Sequence, residues 1–149
     1  MTMFSLTLTE RIQIAAPPAA VWEVYRDLRD WPAWNPVCAA VRDISAGPAP
    51  WAVGARFTLV LRMAGIPIPF AVELTASAPP HSVTWSSTHL GITADRTVSL
   101  VANGAGTLVS DRKVFRSPTV PVALVYPRPI VHAMGNATLR ALKRRVESQ

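Results

Sequence analysis

The sequence predicts an α+β domain in which a curved seven-stranded antiparallel sheet wraps around a long C-terminal helix. Three observations support this: an alternating segment opens the chain, six short alternating runs follow two short helical segments, and a helical pattern fills residues 130–147. One curved sheet cannot cover its own apolar concave face, so the last helix is expected to cover it. An internal cavity between sheet and helix is expected, and such clefts are common small-molecule sites.

The composition indicates one globular domain spanning residues 1–149, because half of the residues are hydrophobic and only 16% are charged. The single cysteine, Cys38, excludes an internal disulfide and a cysteine zinc site, and we expect no metal and no cofactor. There is no apolar run of 18 residues and no signal peptide pattern at the N-terminus. We therefore expect a cytoplasmic protein without stable membrane insertion, as a monomer or homodimer.

The charge is uneven along the chain. Residues 1–95 carry six Arg and seven acidic residues, whereas residues 96–149 carry nine Lys or Arg and two acidic residues. A basic half would suit nucleic acid, but no known nucleic-acid motif is present, and cations near the end of a helix are favoured by its dipole. We expect no nucleic-acid partner. The basic residues that cluster are Arg140, Lys143, Arg144 and Arg145.

The N-terminal elements follow from periodicity and proline placement. Residues 4–14 alternate as in a half-buried strand, with Glu10 on the apolar side as an anomaly. Prolines then suit the first turn of a helix over residues 18–28, and Asp30 is placed to cap a short helix at 31–35. That helix is expected to end at Asn35, because the residue before a proline avoids helical angles.

The middle of the chain reads as a meander of strands joined by short turns. Asn103-Gly104 is a strong hairpin signal before the last strand. Four prolines within residues 117–129 delay or kink the start of the final helix. The predicted elements are a weak strand at 37–44, a loop at 46–50, and strands near 57–63, 68–75, 83–89, 94–101 and 107–115.

Several segments together resemble a known superfamily. The segment IQIAAPPAAVW at residues 12–22 and the segment DWPAWNP at residues 30–36 resemble the START/pollen-allergen-like (SRPBCC) superfamily, in its polyketide cyclase/dehydrase branch. Weaker matches lie at residues 53–57, 83–85 and 106–109, so the resemblance spans nearly the whole chain.

The resemblance implies a helix-grip fold with an apolar cavity that binds a hydrophobic or aromatic small molecule. It does not fix an activity, because members include carriers, receptors and aromatase/cyclases without shared catalytic residues. Relatives often carry an acidic residue near the end of the last strand, where this chain has Lys113-Val114-Phe115. A ligand anchored by a carboxylate at that place would not carry over.

Polar residues on the apolar side of strands are the candidates for function, since a buried polar group needs a partner or a ligand. Placing Phe115 inward brings Asp111 and Lys113 inward; the opposite choice brings Ser110 and Arg112 inward, and we favour the first. Internal ion pairs are the alternative explanation for these residues. The full inward set is Glu10, Ser87, His89, Arg96, Asp111 and Lys113.

The predicted catalytic residues are His89, Arg96 and Asp111. His89 would act as a general acid or base, with its ring oriented by Asp111 or Glu10. Arg96 or Lys113 would hold an enolate or carboxylate oxygen. The same residues would also serve to orient a ligand without any reaction.

The predicted ligand contacts combine these polar residues with aromatic and apolar ones. Trp22 and Trp31 are expected in the core instead, and His132 at the surface or on a lid. The predicted ligand-binding residues are Glu10, Tyr25, Trp34, Asn35, Phe57, Leu59, Phe70, Trp85, Ser87, Lys113, Phe115, Tyr126, Met134 and Thr138.

Three functions remain open at this point. The favoured one is a binder or carrier of a hydrophobic small molecule. The alternative is a polyketide cyclase/dehydratase that uses acid–base catalysis without a cofactor. A weaker third is lipid transfer, in which the apolar stretch 120–126 and the basic tail contact anionic lipid.

Overall fold

The computed structural model describes residues 3–45 and 51–149, so the predicted loop at 46–50 lies outside the described residues. The elements in chain order are β1 (Phe4–Ile14), α1 (Pro18–Tyr25), a 3₁₀ turn (Leu28–Asp30), α2 (Trp31–Trp34), β2 (Cys38–Arg42), β3 (Arg56–Met63), β4 (Ile66–Ala78), β5 (Ser82–His89), β6 (Ile92–Asn103), β7 (Gly106–Ser117), α3 (Val122–Val125) and α4 (Arg128–Glu147).

The strands form one antiparallel sheet in the order β1-β7-β6-β5-β4-β3-β2. The order is a simple meander except that β1 pairs with β7, which places the first strand beside the last one. The predicted Asn103-Gly104 hairpin is present, and Gly104 has a φ of 62°, which glycine adopts without strain. The predicted fold, a sheet gripping a C-terminal helix, is confirmed.

Two helices differ from their predicted bounds for local reasons. The helix predicted over 18–28 ends at Tyr25, whose carbonyl accepts a hydrogen bond from the Trp31 indole N–H at 2.8 Å. That carbonyl is therefore satisfied without a further helical turn. The last helix begins two residues early, at Arg128, because Pro129 fits a first turn that needs no N–H. The proline-rich segment before it also contains the short helix α3.

β4 is longer than predicted because its prolines occupy positions where the sheet needs no backbone N–H donor. Pro67 and Pro69 pair with β3, whereas the pairing of β4 with β5 runs from Glu73 to Ala78. On the β5 side these prolines have no ladder bond to make, so the strand continues through them.

The core lies between the concave face of the sheet and the buried face of α4. Val131, Gly135, Thr138, Leu142 and Val146 are all buried, as the helical periodicity predicted. The favoured parity of the last strand is also confirmed, because alternate residues of β7 from Val109 to Phe115 are buried. None of the helices within residues 3–45 and 51–149 combines the length and hydrophobicity needed to cross a bilayer.

Five aromatic side chains fill one end of this core. Tyr25 lies nearly parallel to Trp85, with ring centroids 6.2 Å apart, and Trp22 packs edge-on against Trp51 at 5.1 Å. Trp31 contacts Tyr25, Trp51 and Trp85. The core role predicted for Trp31 is confirmed, since only 4% of the residue is exposed.

Candidate functional site

An apolar cavity of about 90 Å³ lies between the sheet and α4. A smaller recess of about 10 Å³ adjoins it towards α2 and shares four of its wall residues, Leu59, Leu61, Arg96 and Thr138. The other residues that line the main cavity are Val37, Met63, Phe70, Val72, Trp85, Ser87, Ala94, Asp95, Lys113, Phe115, Tyr126, Val131, Met134 and Gly135. The other residues that line the recess are Tyr25, Trp31, Trp34 and Asn35.

Four buried charges form a network along one wall of the cavity. Arg96 binds Asp111 through two hydrogen bonds, from Nε at 2.8 Å and from Nη2 at 2.6 Å. Lys113 Nζ lies 3.2 Å from Asp111 Oδ2 and also donates to Glu10 Oε1. Two cations thus face two carboxylates, and the network carries no net charge. The alternative explanation of internal ion pairs is confirmed for these four residues.

The strand register explains why these residues meet. Glu10 lies opposite Asp111 across β1 and β7, and Lys113 lies opposite Arg96 across β7 and β6. All four sit on the inward side of their strands, so their side chains converge.

The network shifts the pKa values of Asp111 and Arg96. Burial by itself would raise the pKa of the Asp111 carboxyl, but Arg96 and Lys113 together hold it below its usual range. Burial would lower the pKa of Arg96, yet the Asp111 carboxylate more than offsets this and raises it. Asp111 is therefore a charged structural partner near neutral pH and a poor general base.

Close approach of α4 seals this network from one side. A Cβ on Gly135 would lie 1.8 Å from Glu10 Oε1 and 2.9 Å from Lys113 Nζ, so only glycine fits there. One turn earlier on the helix, His132 Nδ1 lies 3.3 Å from Glu10 Oε2 with its side chain about half exposed. His132, expected at the surface, thus also contacts the buried charges.

Aromatic rings form the rest of the wall. The Arg96 guanidinium carbon lies 5.3 Å from the centre of the Trp85 ring, within cation–π range. Tyr126 packs against Phe115 at 4.6 Å and against Phe70 at 6.4 Å. Burial raises the pKa of Tyr126 to about 12, so its phenol stays neutral near pH 7.

Two buried polar atoms of the recess lack a partner among the described residues, namely the Tyr25 hydroxyl and the Trp34 indole Nε1. Burial raises the pKa of Tyr25 despite the nearby Arg96 guanidinium, so the phenol remains a hydrogen-bond donor. An unpartnered buried polar group is costly, so these atoms mark a place where a ligand group would be favourable.

Most of the predicted ligand contacts line the cavity or the recess. Glu10 and Phe57 do not: Glu10 is held behind Lys113, and Phe57 packs edge-on against Trp31 and Trp85. Asp111 likewise lies behind Arg96 and Lys113. The predicted residues in the two walls are Tyr25, Trp34, Asn35, Leu59, Phe70, Trp85, Ser87, Arg96, Lys113, Phe115, Tyr126, Met134 and Thr138.

The predicted orientation of His89 by Asp111 or Glu10 is wrong. His89 lies opposite Ile92 at the end of β5, whereas Asp111 lies opposite Val98, about 20 Å further along β6 at 3.3 Å per residue. The His89 ring packs instead against Phe70, with centroids 4.9 Å apart. Sharing the inward side of a sheet did not bring these residues together, because His89 ends its strand whereas Asp111 lies in the middle of β7.

Several residues of the cavity wall were not among the predicted ligand contacts. Leu61, Met63 and Val72 share the inward parity of Leu59 and Phe70, so strand alternation was the signal that could have added them. Val37 lies outside any strand, and no sequence pattern pointed to it. Within the described residues no three His, Cys, Asp or Glu side chains are placed to hold a metal ion.

A curved sheet that grips a C-terminal helix around an apolar cavity defines the helix-grip class of the START/pollen-allergen-like superfamily. The chain belongs to the family described as polyketide cyclase / dehydrase and lipid transport, which matches residues 5–147. The superfamily and branch suggested by the sequence motifs are thereby confirmed. No curated protein matches the chain significantly.

Solved structures share this fold at low sequence identity. The Zhui aromatase/cyclase from Streptomyces sp. R1128 is 16% identical, with a TM-score of 0.80 over 96% of this chain and 94% of its own. A START superfamily protein from Mycobacterium smegmatis is 17% identical, with a TM-score of 0.76 over 95% and 97%.

Norcoclaurine synthase from Thalictrum flavum, solved with dopamine and hydroxybenzaldehyde, is 15% identical, with a TM-score of 0.77 over 99% and 89%. These solved structures show that the fold is shared, and the family description names polyketide cyclase / dehydrase activity and lipid transport.

Proposed function

We propose that the protein is a binder or carrier of a hydrophobic, ring-containing small molecule held between the sheet and α4. The observation that supports this is the apolar cavity, walled by Phe70, Trp85 and Phe115 and bounded by a charge-balanced corner. Flat rigid rings bury large apolar area against such walls.

The cavity must enlarge to hold a larger ligand, because small-molecule sites usually measure about 300–1,000 Å³. Met63 and Met134 both line it. Methionine side chains are unbranched and rotate readily, so they supply the room with little cost to the rest of the core.

The test is binding of the neutral fluorescent probe N-phenyl-1-naphthylamine, with native mass spectrometry of the freshly purified protein to weigh any co-purifying molecule. Ala94→Phe fills the cavity and should abolish probe binding, whereas Ala71→Phe, on the exposed face of β4, is the matched control. Equal binding by both variants, or no binding by the wild type, refutes the proposal.

The second candidate is a cyclase/dehydratase. It is supported by Arg96 in the wall of both the cavity and the recess, where it would polarise a carbonyl oxygen of the substrate. His89 stays the predicted acid–base group; it packs against Phe70, a wall residue, and would act without a carboxylate partner. Asp111 would serve by orienting Arg96.

A suitable test is the aldol condensation of 2,6-heptanedione to 3-methylcyclohex-2-enone. A base removes a proton from one methyl carbon, that carbon bonds to the distant carbonyl carbon, and water leaves. Appearance of the conjugated enone is followed by absorbance. Loss of rate in Arg96→Ala and His89→Ala, but not in His81→Ala on the exposed β4–β5 turn, would support catalysis; equal rates with and without protein would exclude it for this substrate.

The lipid-transfer candidate needs one correction. The basic tail does not join the stretch 120–126 in one surface, because Arg140 lies about 18 Å along α4 from Arg128 at 1.5 Å per residue. Arg145 and Lys143 of that tail are also paired, with Asp30 and Glu147.

Exposed apolar side chains favour lipid contact at the end of the molecule that carries the β3–β4 and β5–β6 turns. Ile66, Leu90 and Leu124 are 63%, 66% and 76% exposed. The β3–β4 and β5–β6 turns lie at the same end of the sheet, and Gly91 sits against Val120 just before α3. Residues 63–69, 88–93 and 116–130 contain Arg116 and Arg128 and no acidic residue. Arg116 is paired with Asp95 of β6, so Arg128 is the cation that suits an anionic bilayer.

Sedimentation with phosphatidylserine/phosphatidylcholine vesicles tests this candidate. Leu124→Ser should weaken binding, whereas Val101→Ser, exposed near the opposite β6–β7 turn, should not. Failure of the wild type to sediment at low salt, or equal loss in both variants, would rule out lipid contact through these side chains.

A further inference from the structure

We propose that the recess next to the main cavity is a binding site for the carbonyl oxygen of an uncharged hydrophobic ligand, such as an aryl ketone. This inference rests on the proposed binding function and adds the chemical group that the ligand must carry. It comes from the hydrogen-bond inventory of the recess rather than from its volume.

Each side chain with a free polar group in the recess can donate a hydrogen bond, and of the unpartnered atoms only the Tyr25 hydroxyl can also accept one. The indole N–H of Trp34 can only donate, and the Tyr25 hydroxyl is a donor with no acceptor among the described residues. Arg96 uses Nε and Nη2 on Asp111, which leaves the Nη1 hydrogens available on a side chain that lines both spaces. A guanidinium also has no acceptor.

The amide oxygen of Asn35 in the recess is already engaged. Asn35 Oδ1 accepts from the Val37 backbone N–H at 3.0 Å and from the Thr138 hydroxyl at 3.4 Å. The neighbouring Trp31 indole is satisfied by the Tyr25 carbonyl at 2.8 Å. A ligand oxygen can therefore accept from all of the free donors, whereas a ligand hydrogen would find lone pairs only on the Tyr25 and Thr138 hydroxyl oxygens.

Charge balance decides between a neutral oxygen and an anion. The Arg96 and Lys113 cations are already neutralised by Asp111 and Glu10 at contact distance. A carboxylate would add an uncompensated charge to a buried site, which is strongly unfavourable. A carbonyl oxygen takes up the free donors without that cost.

The geometry of the walls places a ring beside this oxygen. Leu59, Leu61 and Thr138 line both spaces, so the recess and the cavity share part of their walls. A carbonyl bonded to a ring would put its oxygen among the donors and its ring against Trp85 and Phe70.

Three probes of similar shape separate the possibilities: acetophenone, α-methylstyrene, which replaces the carbonyl oxygen by a methylene, and benzoate, which is charged. Binding is measured by calorimetry and by the indole N–H resonances of the five tryptophans, with Trp34 assigned from a Trp34→Phe variant. We expect acetophenone to bind at least about fivefold more tightly than α-methylstyrene, the effect of one hydrogen bond. The Trp34 indole resonance should move most.

Tyr25→Phe should reduce that preference for the ketone by about fivefold. Thr88→Val, which removes a hydroxyl from an exposed position of β5 that lines neither the cavity nor the recess, should leave the preference unchanged. Equal affinities for acetophenone and α-methylstyrene, or tightest binding of benzoate, overturn the carbonyl site while leaving the binder proposal intact. Failure of both neutral probes, together with failure of N-phenyl-1-naphthylamine, overturns the proposed function itself.

Discussion

Replacing Gly135 by alanine should destabilise the protein, which reverses the usual effect of this change in a helix. In an ordinary helix interior, Gly→Ala is stabilising by about 1 kcal/mol. Here the new methyl group would lie 1.8 Å from Glu10 Oε1 and 2.7 Å from Glu10 Cδ, far inside a normal contact. Either α4 moves away from the sheet or the Glu10–Lys113 pair is pushed apart.

The size of the effect follows from these two outcomes. Overpacking a core typically costs about 1–3 kcal/mol, and separating a buried ion pair costs about 3–5 kcal/mol. After the helical gain of about 1 kcal/mol is subtracted, overpacking leaves a loss of about 0–2 kcal/mol and a separated ion pair a loss of about 2–4 kcal/mol. We therefore expect Gly135→Ala to lower the free energy of unfolding by about 2 kcal/mol. In a domain of this size, that lowers Tm by roughly 4–8 °C.

Urea denaturation of a double-mutant cycle measures the effect. The companion background is Glu10→Ala/Lys113→Met, which removes the clashing carboxylate and its cation together. In that background Gly135→Ala should be neutral or stabilising by about 1 kcal/mol, so the coupling between the sites should be large. Stabilisation by Gly135→Ala in both backgrounds would show that α4 does not lie against the charge network as described.

Three further predictions concern titrating groups. Tyr25 and Tyr126 are the chain's two tyrosines, and burial raises both pKa values, that of Tyr126 to about 12. Ultraviolet titration should show almost no phenolate at pH 10.5 in the folded protein, and roughly three-quarters of both tyrosines ionised at that pH in guanidinium. Burial raises the pKa of Cys38 to about 11, so alkylation by iodoacetamide should be slow at pH 8 and accelerate about tenfold per pH unit up to pH 10; a rate that levels off near pH 9 would contradict this. Asp111 has a lowered pKa, so its contribution to stability is present above about pH 3.8 and is lost as the pH falls further; Asp111→Asn should be less stable by about 3–5 kcal/mol at pH 7, and its deficit should shrink below pH 3.8.

The strands and the last helix were predictable because their residues alternate or repeat along the chain. Burial on one face imposes a period of two on a strand and of 3.6 on a helix, and both periods are visible in residues 4–14 and 130–147. The parity of β7 was inferred from the size of Phe115 alone, and Asp111 and Lys113 followed it inward. Boundaries were less accurate, since caps and neighbouring side chains decide them, as Trp31 does at the end of α1.

The pairing of polar residues was only partly predictable. Parity showed that Glu10, Arg96, Asp111 and Lys113 face inward, but the period of two says nothing about position along the strand. His89 shares their face but lies at the end of its strand, whereas the four charged residues lie within the interior of theirs. The register that brings Glu10 opposite Asp111 joins residues from the two ends of the chain, and local sequence carries no record of it.

The sequence by itself determined the layers of this protein, its family and the inward face of each strand, because these depend on local periodicity and on short motifs such as DWPAWNP. The tertiary structure alone decided that α4 approaches at Gly135, that four charges neutralise one another, and that Tyr25 and Trp34 keep free donors. The physical reason is that hydrogen bonding and electrostatic balance depend on distances of a few ångströms between residues far apart in sequence. Such distances are fixed only when sheet and helix pack together.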